Sequence, residues 1–172
     1  MCKIFYMPTT DYVSDESVKK ILKEHFGIQD AVISRTKNGK PYVENAPYFS
    51  ISHTSKLAFI AFSSSNLGID AEPLDRNTHY DSVIKNFPRE EQKEIQCEKE
   101  FLKHWVAKES AVKYLGGTLA RDLKRLAYMR NRLYYQDKPL SATLTFFEIE
   151  GHLLSICGEG NFTNPTFIPL SV

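Results

Sequence analysis

Hydrophobic positions change their spacing several times along the chain, and each change marks an element. The short apolar run from Lys3 to Met7 predicts a first strand. From Ser14 to Phe26 the spacing becomes helical. Val18, Ile21, Leu22 and Phe26 share a face, acids occupy the first turn, and Gly27 follows as a stop. Ala31 to Arg35 reads as a strand, and Lys37-Asn38-Gly39-Lys40-Pro41 as a turn. Tyr48 to Ser52 and Leu57 to Phe62 predict two strands joined by a tight loop, 53–56. Ser63 to Asn66 then turns the chain into a further strand, Leu67 to Glu72.

Pro73 to Asn77 is the expected joint between two halves, residues 1–75 and 76–172. Beyond it, Asp81 to Asn86 predicts a short helix. Pro88 suits the start of another over the polar residues 89–94, because a first-turn proline sacrifices no helical bond. Glu98 to Leu115 is the main helix of the second half, ended by Gly116-Gly117. Leu126 to Met129, Arg132 to Gln136, Ala142 to Ile149 and Leu153 to Cys157 read as strands. Glu150-Gly151-His152 is the loop between the last two. The tail from Asn161 holds two prolines and is expected to pack without regular structure. Each half thus has a helix followed by strands and a closing apolar hairpin, with no sequence repeat.

Composition narrows the class without choosing within it. The 172 residues suffice for one compact unit with a real core. Hydrophobic residues at 42% and charged residues at 25% are ordinary for a soluble domain. A net charge of +1 gives no broad field for nucleic acid or membrane, so any phosphate recognition must be local. No apolar run is long enough to span a bilayer, and the N-terminus lacks a signal peptide's apolar stretch. The odd set Cys2, Cys97 and Cys157, without metal spacing, points to a reduced, cytoplasmic protein.

Two stretches carry candidate chemistry. Along the strand Leu67-Gly68-Ile69-Asp70-Ala71-Glu72, side chains alternate, so Asp70 and Glu72 share a face. Paired carboxylates suit a hard cation such as Mg²⁺. On the main helix, Trp105, Lys108, Glu109 and Val112 fall on one side, and Lys113 lies one turn beyond Glu109. A third carboxylate flanked by two lysines is what a site for a metal-bound phosphate ester needs. Taken alone, Glu109 and Lys113 also fit an exposed ion pair, and Trp105 fits packing. The histidines His25, His53, His79, His104 and His152 are scattered, with no pair at metal-ligand spacing.

Three ordered motifs resemble one family. Phe49-Ser50-Ile51-Ser52-His53-Thr54, Gly68-Ile69-Asp70-Ala71-Glu72-Pro73, and Trp105 through Lys113 with Gly117-Thr118-Leu119 are similar to the phosphopantetheinyl transferase superfamily, nearest to its surfactin-synthetase-activating type. The likeness covers roughly Lys37 to Leu123. It implies an α/β (α+β) fold of two similar halves related by a pseudo-twofold axis, each a small sheet with a long helix, and a site between them. It implies that Asp70, Glu72 and Glu109 hold Mg²⁺, and that Lys108 and Lys113 meet phosphates of coenzyme A. Ser52 and His53 match the motif that contacts the nucleotide, the histidine reaching the ribose phosphate, and Lys40 matches a position near the same phosphate. Glu91, or its neighbour Glu90 one register away, matches an acid that helps deprotonate the incoming serine, a role that Glu109 or a metal-bound water could also take.

The implied activity is transfer of phosphopantetheine onto a serine of an acyl carrier protein or peptidyl carrier domain. A monomer is expected, with no nucleic-acid or membrane partner. Surfactin-type members carry a longer, basic front segment. Here 38 residues precede Gly39 without that segment, so a weaker grip on coenzyme A is expected. A Mg²⁺-dependent nuclease is the main alternative, and an inactive carrier-binding relative the third.

Overall fold

The computed structural model describes residues 2–9, 15–76 and 80–170. The chain runs β1 (Lys3–Pro8), α1 (Asp15–Phe26), β2 (Ser34–Arg35), β3 (Pro41–Tyr42), β4 (Tyr48–His53), β5 (Leu57–Ser63) and β6 (Leu67–Pro73). It continues through α2 (Asp81–Ile84), α3 (Arg89–Gln92), α4 (Glu98–Leu115) and α5 (Leu119–Asp122). It ends with β7 (Leu126–Met129), β8 (Arg132–Tyr135), β9 (Lys138–Pro139), β10 (Thr143–Ile149), β11 (His152–Gly158) and β12 (Thr166–Pro169). The fold is mixed α/β with several small sheets. Ser14, Asn77 and His79 lie outside the described residues.

Two sheets stack between the two long helices. The first has the order β12-β1-β5-β4 and the second β10-β11-β6. On the outer face of the first sheet, Phe5, Ile60 and Phe62 pack against Val18, Ile21 and Leu22 of α1. On its inner face, Ile4, Phe59 and Ala61 meet Leu67, Ile69 and Ala71 of β6 and Leu154 and Ile156 of β11. Each of these buried Ile, Leu and Phe side chains contributes roughly 1.5–3 kcal/mol. The period-2 pattern thus turns the apolar half of β6 toward the first sheet. Its other half, Gly68, Asp70 and Glu72, is left to α4.

Several elements differ from the sequence expectation. The tail forms β12, pairing parallel to β1 with Lys3 opposite Thr166 and Phe5 opposite Ile168. β12 is the edge strand of its sheet, where Pro169 at its end sacrifices no central ladder bond. Residues 31–35 yield only the two-residue β2, which pairs with β3 across the expected turn. The helices α2 and α3 are single turns, shorter than 81–86 and 89–94, and α5 and β9 were not anticipated. The hairpin from β10 to β11 closes through Glu150 and Gly151 alone, both at positive φ (48° and 70°), the geometry that two-residue turns require. His152 therefore opens β11, opposite Ile149.

Two further details fix the second half. Gly116 ends α4 in the left-handed conformation at φ 62°, while the Gly117 N–H closes back on the Val112 carbonyl at 2.9 Å. Just beyond, Asp122 is 1% exposed. It accepts the Thr118 N–H at 2.9 Å, the Tyr135 hydroxyl at 3.0 Å and the Arg121 guanidinium at 2.7 Å. The Arg121 bonds, chiefly, pull its carboxyl down to about 2. The folded value lies below the unfolded one, so this stabilisation is present above about pH 4 and is lost as pH falls toward 2. Asp122→Asn should therefore cost roughly 1–2 kcal/mol in urea unfolding at neutral pH, and the difference from wild type should narrow between pH 4 and 2. An equal gap at both ends of that range would remove Asp122 from the acid response.

Among the described residues no helix is long and apolar enough to cross a membrane. Cys2 and Cys157 are buried thiols, pushed up to about 11 and about 12 by burial, and Cys97 is exposed.

Candidate active site

The site forms where α4 crosses β6. The crossing is close because residue 68 has no side chain: a Cβ there would run into the Ser110 carbonyl and the Tyr114 amide of the helix backbone. Asp70 and Glu72 follow on the same face of β6, and α4 presents Glu109 and Lys113 to them. One carboxylate oxygen from each of Asp70, Glu72 and Glu109 falls within a 4.8 Å span.

Each acid is held by a different partner. Asp70 is 3% exposed. Its Oδ1 accepts the Ser52 hydroxyl at 2.9 Å and the Lys113 ammonium at 2.7 Å. Its Oδ2 is buried without a hydrogen-bond partner. Glu72 Oε1 accepts the Trp105 indole N–H at 3.0 Å and also pairs with Arg76. Burial, then the charges of Asp70 and Glu72, push the Glu109 carboxyl up to about 8, with Lys113 opposing. Three carboxylates beside two cations, Lys113 and Arg76, are one positive charge short when all are ionised, and an orphaned buried carboxylate oxygen is costly. A hard divalent cation would relieve both deficits with an all-oxygen donor set, so the residues fit Mg²⁺.

A second buried cluster lies behind the first. Glu91 is fully buried. Its Oε1 pairs with His104 Nδ1 at 3.0 Å and its Oε2 accepts the Lys108 ammonium at 2.6 Å. Lys108 also donates to the Leu126 carbonyl at 2.6 Å and sits 3.9 Å over the Phe87 ring. Burial lowers its pKa, and Glu91 opposes that shift. Its neighbour Glu90 is exposed and pairs with Lys93. Lys108 differs from its expectation as a phosphate ligand: its side chain is 0% exposed and its ammonium is bonded internally.

The residues expected to meet the nucleotide, Lys40, Ser52 and His53, lie just before β3 and at the end of β4. His53 is exposed at the end of β4. Ser52, one residue earlier, points inward to Asp70. The Lys40 ammonium reaches the Asn66 side chain at 2.7 Å and the carbonyls of Leu67 and Tyr114 at 3.0 and 3.4 Å. Burial brings its pKa down to about 8. A cleft of about 630 Å³ adjoins it, lined in part by Pro41, Tyr42, Tyr48 and Leu115. The sequence reading missed Gly68, the Trp105 and Arg76 bonds to Glu72, and the Ser52 bond to Asp70. Only Gly68 carried a signal, being a glycine two residues from Asp70 on the same strand face.

Residues 66–157 match the 4'-phosphopantetheinyl transferase superfamily, and the chain belongs to that family. The matched span contains β6, α3 and α4, hence Asp70, Glu72, Glu91, Glu109 and Lys113, and excludes Lys40, Ser52 and His53. No curated protein matches the chain.

Proposed function

We propose that the protein moves phosphopantetheine from coenzyme A to a serine of an acyl carrier protein or peptidyl carrier domain, as a member of the surfactin-synthetase-activating type. The observation that carries the reading is the unpartnered Asp70 Oδ2, set among three carboxylates with Lys113 alongside. When bound, Mg²⁺ supplies charge neutralisation and orientation of the diphosphate. Asp70, Glu72 and Glu109 are the residues that would hold it.

In the reaction, the serine oxygen bonds to the β-phosphorus while the bond to the bridging oxygen breaks, and adenosine 3',5'-bisphosphate departs. Lys113, 30% exposed, can reach a phosphate oxygen while it neighbours Asp70. Of the two candidate glutamates, Glu109 is the one that is not fully buried, and it is assigned the serine proton. Glu91, fully buried, acts through Lys108 and the placement of α4. His53 is proposed at the ribose phosphate, with the cleft beside Lys40 for the nucleotide. Residues 1–75 and 76–172 are proposed as like halves of one monomeric, cytoplasmic unit with a pseudo-twofold axis, each half lending one strand, β6 or β12, to the sheet of the other. A nuclease site of this residue type would want its later Glu and Lys on a strand, whereas Glu109 and Lys113 lie on α4.

Calorimetry tests the binding half of the reading. Coenzyme A should bind in the presence of Mg²⁺, and dephospho-coenzyme A should bind about ten- to a hundredfold more weakly, since a charged hydrogen bond is worth roughly 1.5–3 kcal/mol. His53→Ala should narrow that gap. An unchanged gap would remove His53 from the phosphate, and no binding of coenzyme A under any metal condition would contradict the function itself.

A further inference from the structure

Ser52 has one hydroxyl hydrogen, and its destination decides what the residue does. The Ser52 Oγ donates it to Asp70 Oδ1 at 2.9 Å and accepts the Ala71 N–H at 3.1 Å. The residue is 3% exposed. Two residues earlier, Ser50 accepts the Ile69 N–H at 3.1 Å. β6 is laddered to β11 along one edge, and on the other edge these serine side chains of β4 stand in for a backbone ladder. Ser52 alone of the two also reaches a carboxylate among the three clustered acids.

We propose that Ser52 is a positioning residue for Asp70 and does not bind the coenzyme. A phosphate oxygen offers lone pairs only, so a bond from Ser52 to phosphate would need the hydrogen that Asp70 already receives. Ser52 and the Lys113 ammonium together fix Oδ1. That leaves Oδ2, buried and unpartnered, as the oxygen offered to a cation shared with Glu72 and Glu109. Hydrogen bonds of this kind to a ligating carboxylate set its orientation, and their loss typically weakens metal binding about 10- to 100-fold. The inference rests on the metal reading proposed above.

The test uses the full-length chain without coenzyme A and Mn²⁺ as the probe, with affinity read by electron paramagnetic resonance and calorimetry. Ser52→Thr and Ser52→Val are nearly the same shape, and both suit a strand, but only threonine keeps the hydroxyl. Ser52→Thr should hold Mn²⁺ within a few-fold of wild type, and Ser52→Val should lose about 10- to 100-fold. Ser52→Val should also keep the wild-type ratio of coenzyme A to dephospho-coenzyme A affinity. Equal Mn²⁺ affinity in the two variants would overturn the proposal, as would collapse of that ratio in Ser52→Val, because the hydroxyl would then be sensing the ribose phosphate. Failure of wild type to take up Mn²⁺ would overturn the metal reading first, and this inference with it.

Discussion

Glu109→Gln and Asp70→Ala are each expected to lower phosphopantetheine transfer by roughly a hundredfold or more while leaving a folded protein. The two parts of the expectation have one cause. Glu109 and Asp70 belong to one cluster of crowded carboxylates at the crossing of β6 and α4, so their loss is expected to cost function more than fold. Glu109, pushed up to about 8, is mostly the neutral acid near pH 7 without metal, so the neutral amide changes little there and its stability in urea with chelator present should be no lower than wild type. Asp70→Ala releases Ser52 and Lys113, whose polar atoms then need water. A modest stability loss is expected there beside the loss of transfer. Glu72→Ala should be milder in turnover, because water can occupy a metal position. It also strips the Trp105 N–H of its acceptor, so its cost should extend to the packing of α4. Circular dichroism beside a transfer assay checks all three, and full activity in Glu109→Gln would remove that residue from the site.

The largest effect on structure is expected from Gly68→Ala. The added Cβ meets helix backbone, which has no rotamer to change, so the strain falls on the crossing of β6 and α4 itself. Overpacking costs typically 1–3 kcal/mol, and a backbone obstacle places this substitution at roughly 3 kcal/mol or above. The same crossing sets the spacing of Asp70 from Glu109 and Lys113. A shift of about 1 Å between such groups can cost around a hundredfold in rate, so the folded fraction should also be impaired. Thermal unfolding together with rate per folded molecule separates the two effects. A Gly68→Ala protein of wild-type stability would show that β6 and α4 are less tightly apposed than described.

Much of this arrangement was legible in the sequence, and the reasons are local. β4, β5, β6 and α4 announce themselves because apolar periodicity and punctuation agree over each. Asp70, Glu72 and Glu109 were legible because period 2 and period 3.6 each put acids on a definite face. What was not legible depends on contacts between distant segments. The pairing of β12 with β1 joins the two ends of the chain, and nothing in residues 166–169 names its partner. Lys108 and Lys113 look alike in sequence, yet one is sealed between Glu91, Leu126 and Phe87 while the other, partly exposed, meets Asp70. Their separation follows from helix phase: five residues turn the side chain by 140° beyond a full turn, so the two ammonium groups leave α4 on different sides. Ser52 and His53, adjacent in a strand, point to opposite faces for the same kind of reason, one inward to Asp70 and one to solvent.

The central claim is that this chain transfers phosphopantetheine to carrier proteins through the acids gathered by β6 and α4. Intact mass spectrometry of a panel of acyl and peptidyl carrier proteins, each incubated with the protein, coenzyme A and Mg²⁺, tests it most directly. The account predicts that at least one carrier gains one phosphopantetheine mass on its serine, that chelator abolishes the gain, and that Glu109→Gln greatly slows it. A panel drawn from fatty-acid, polyketide and peptide synthesis that gains no mass, from a protein that binds coenzyme A, would contradict it.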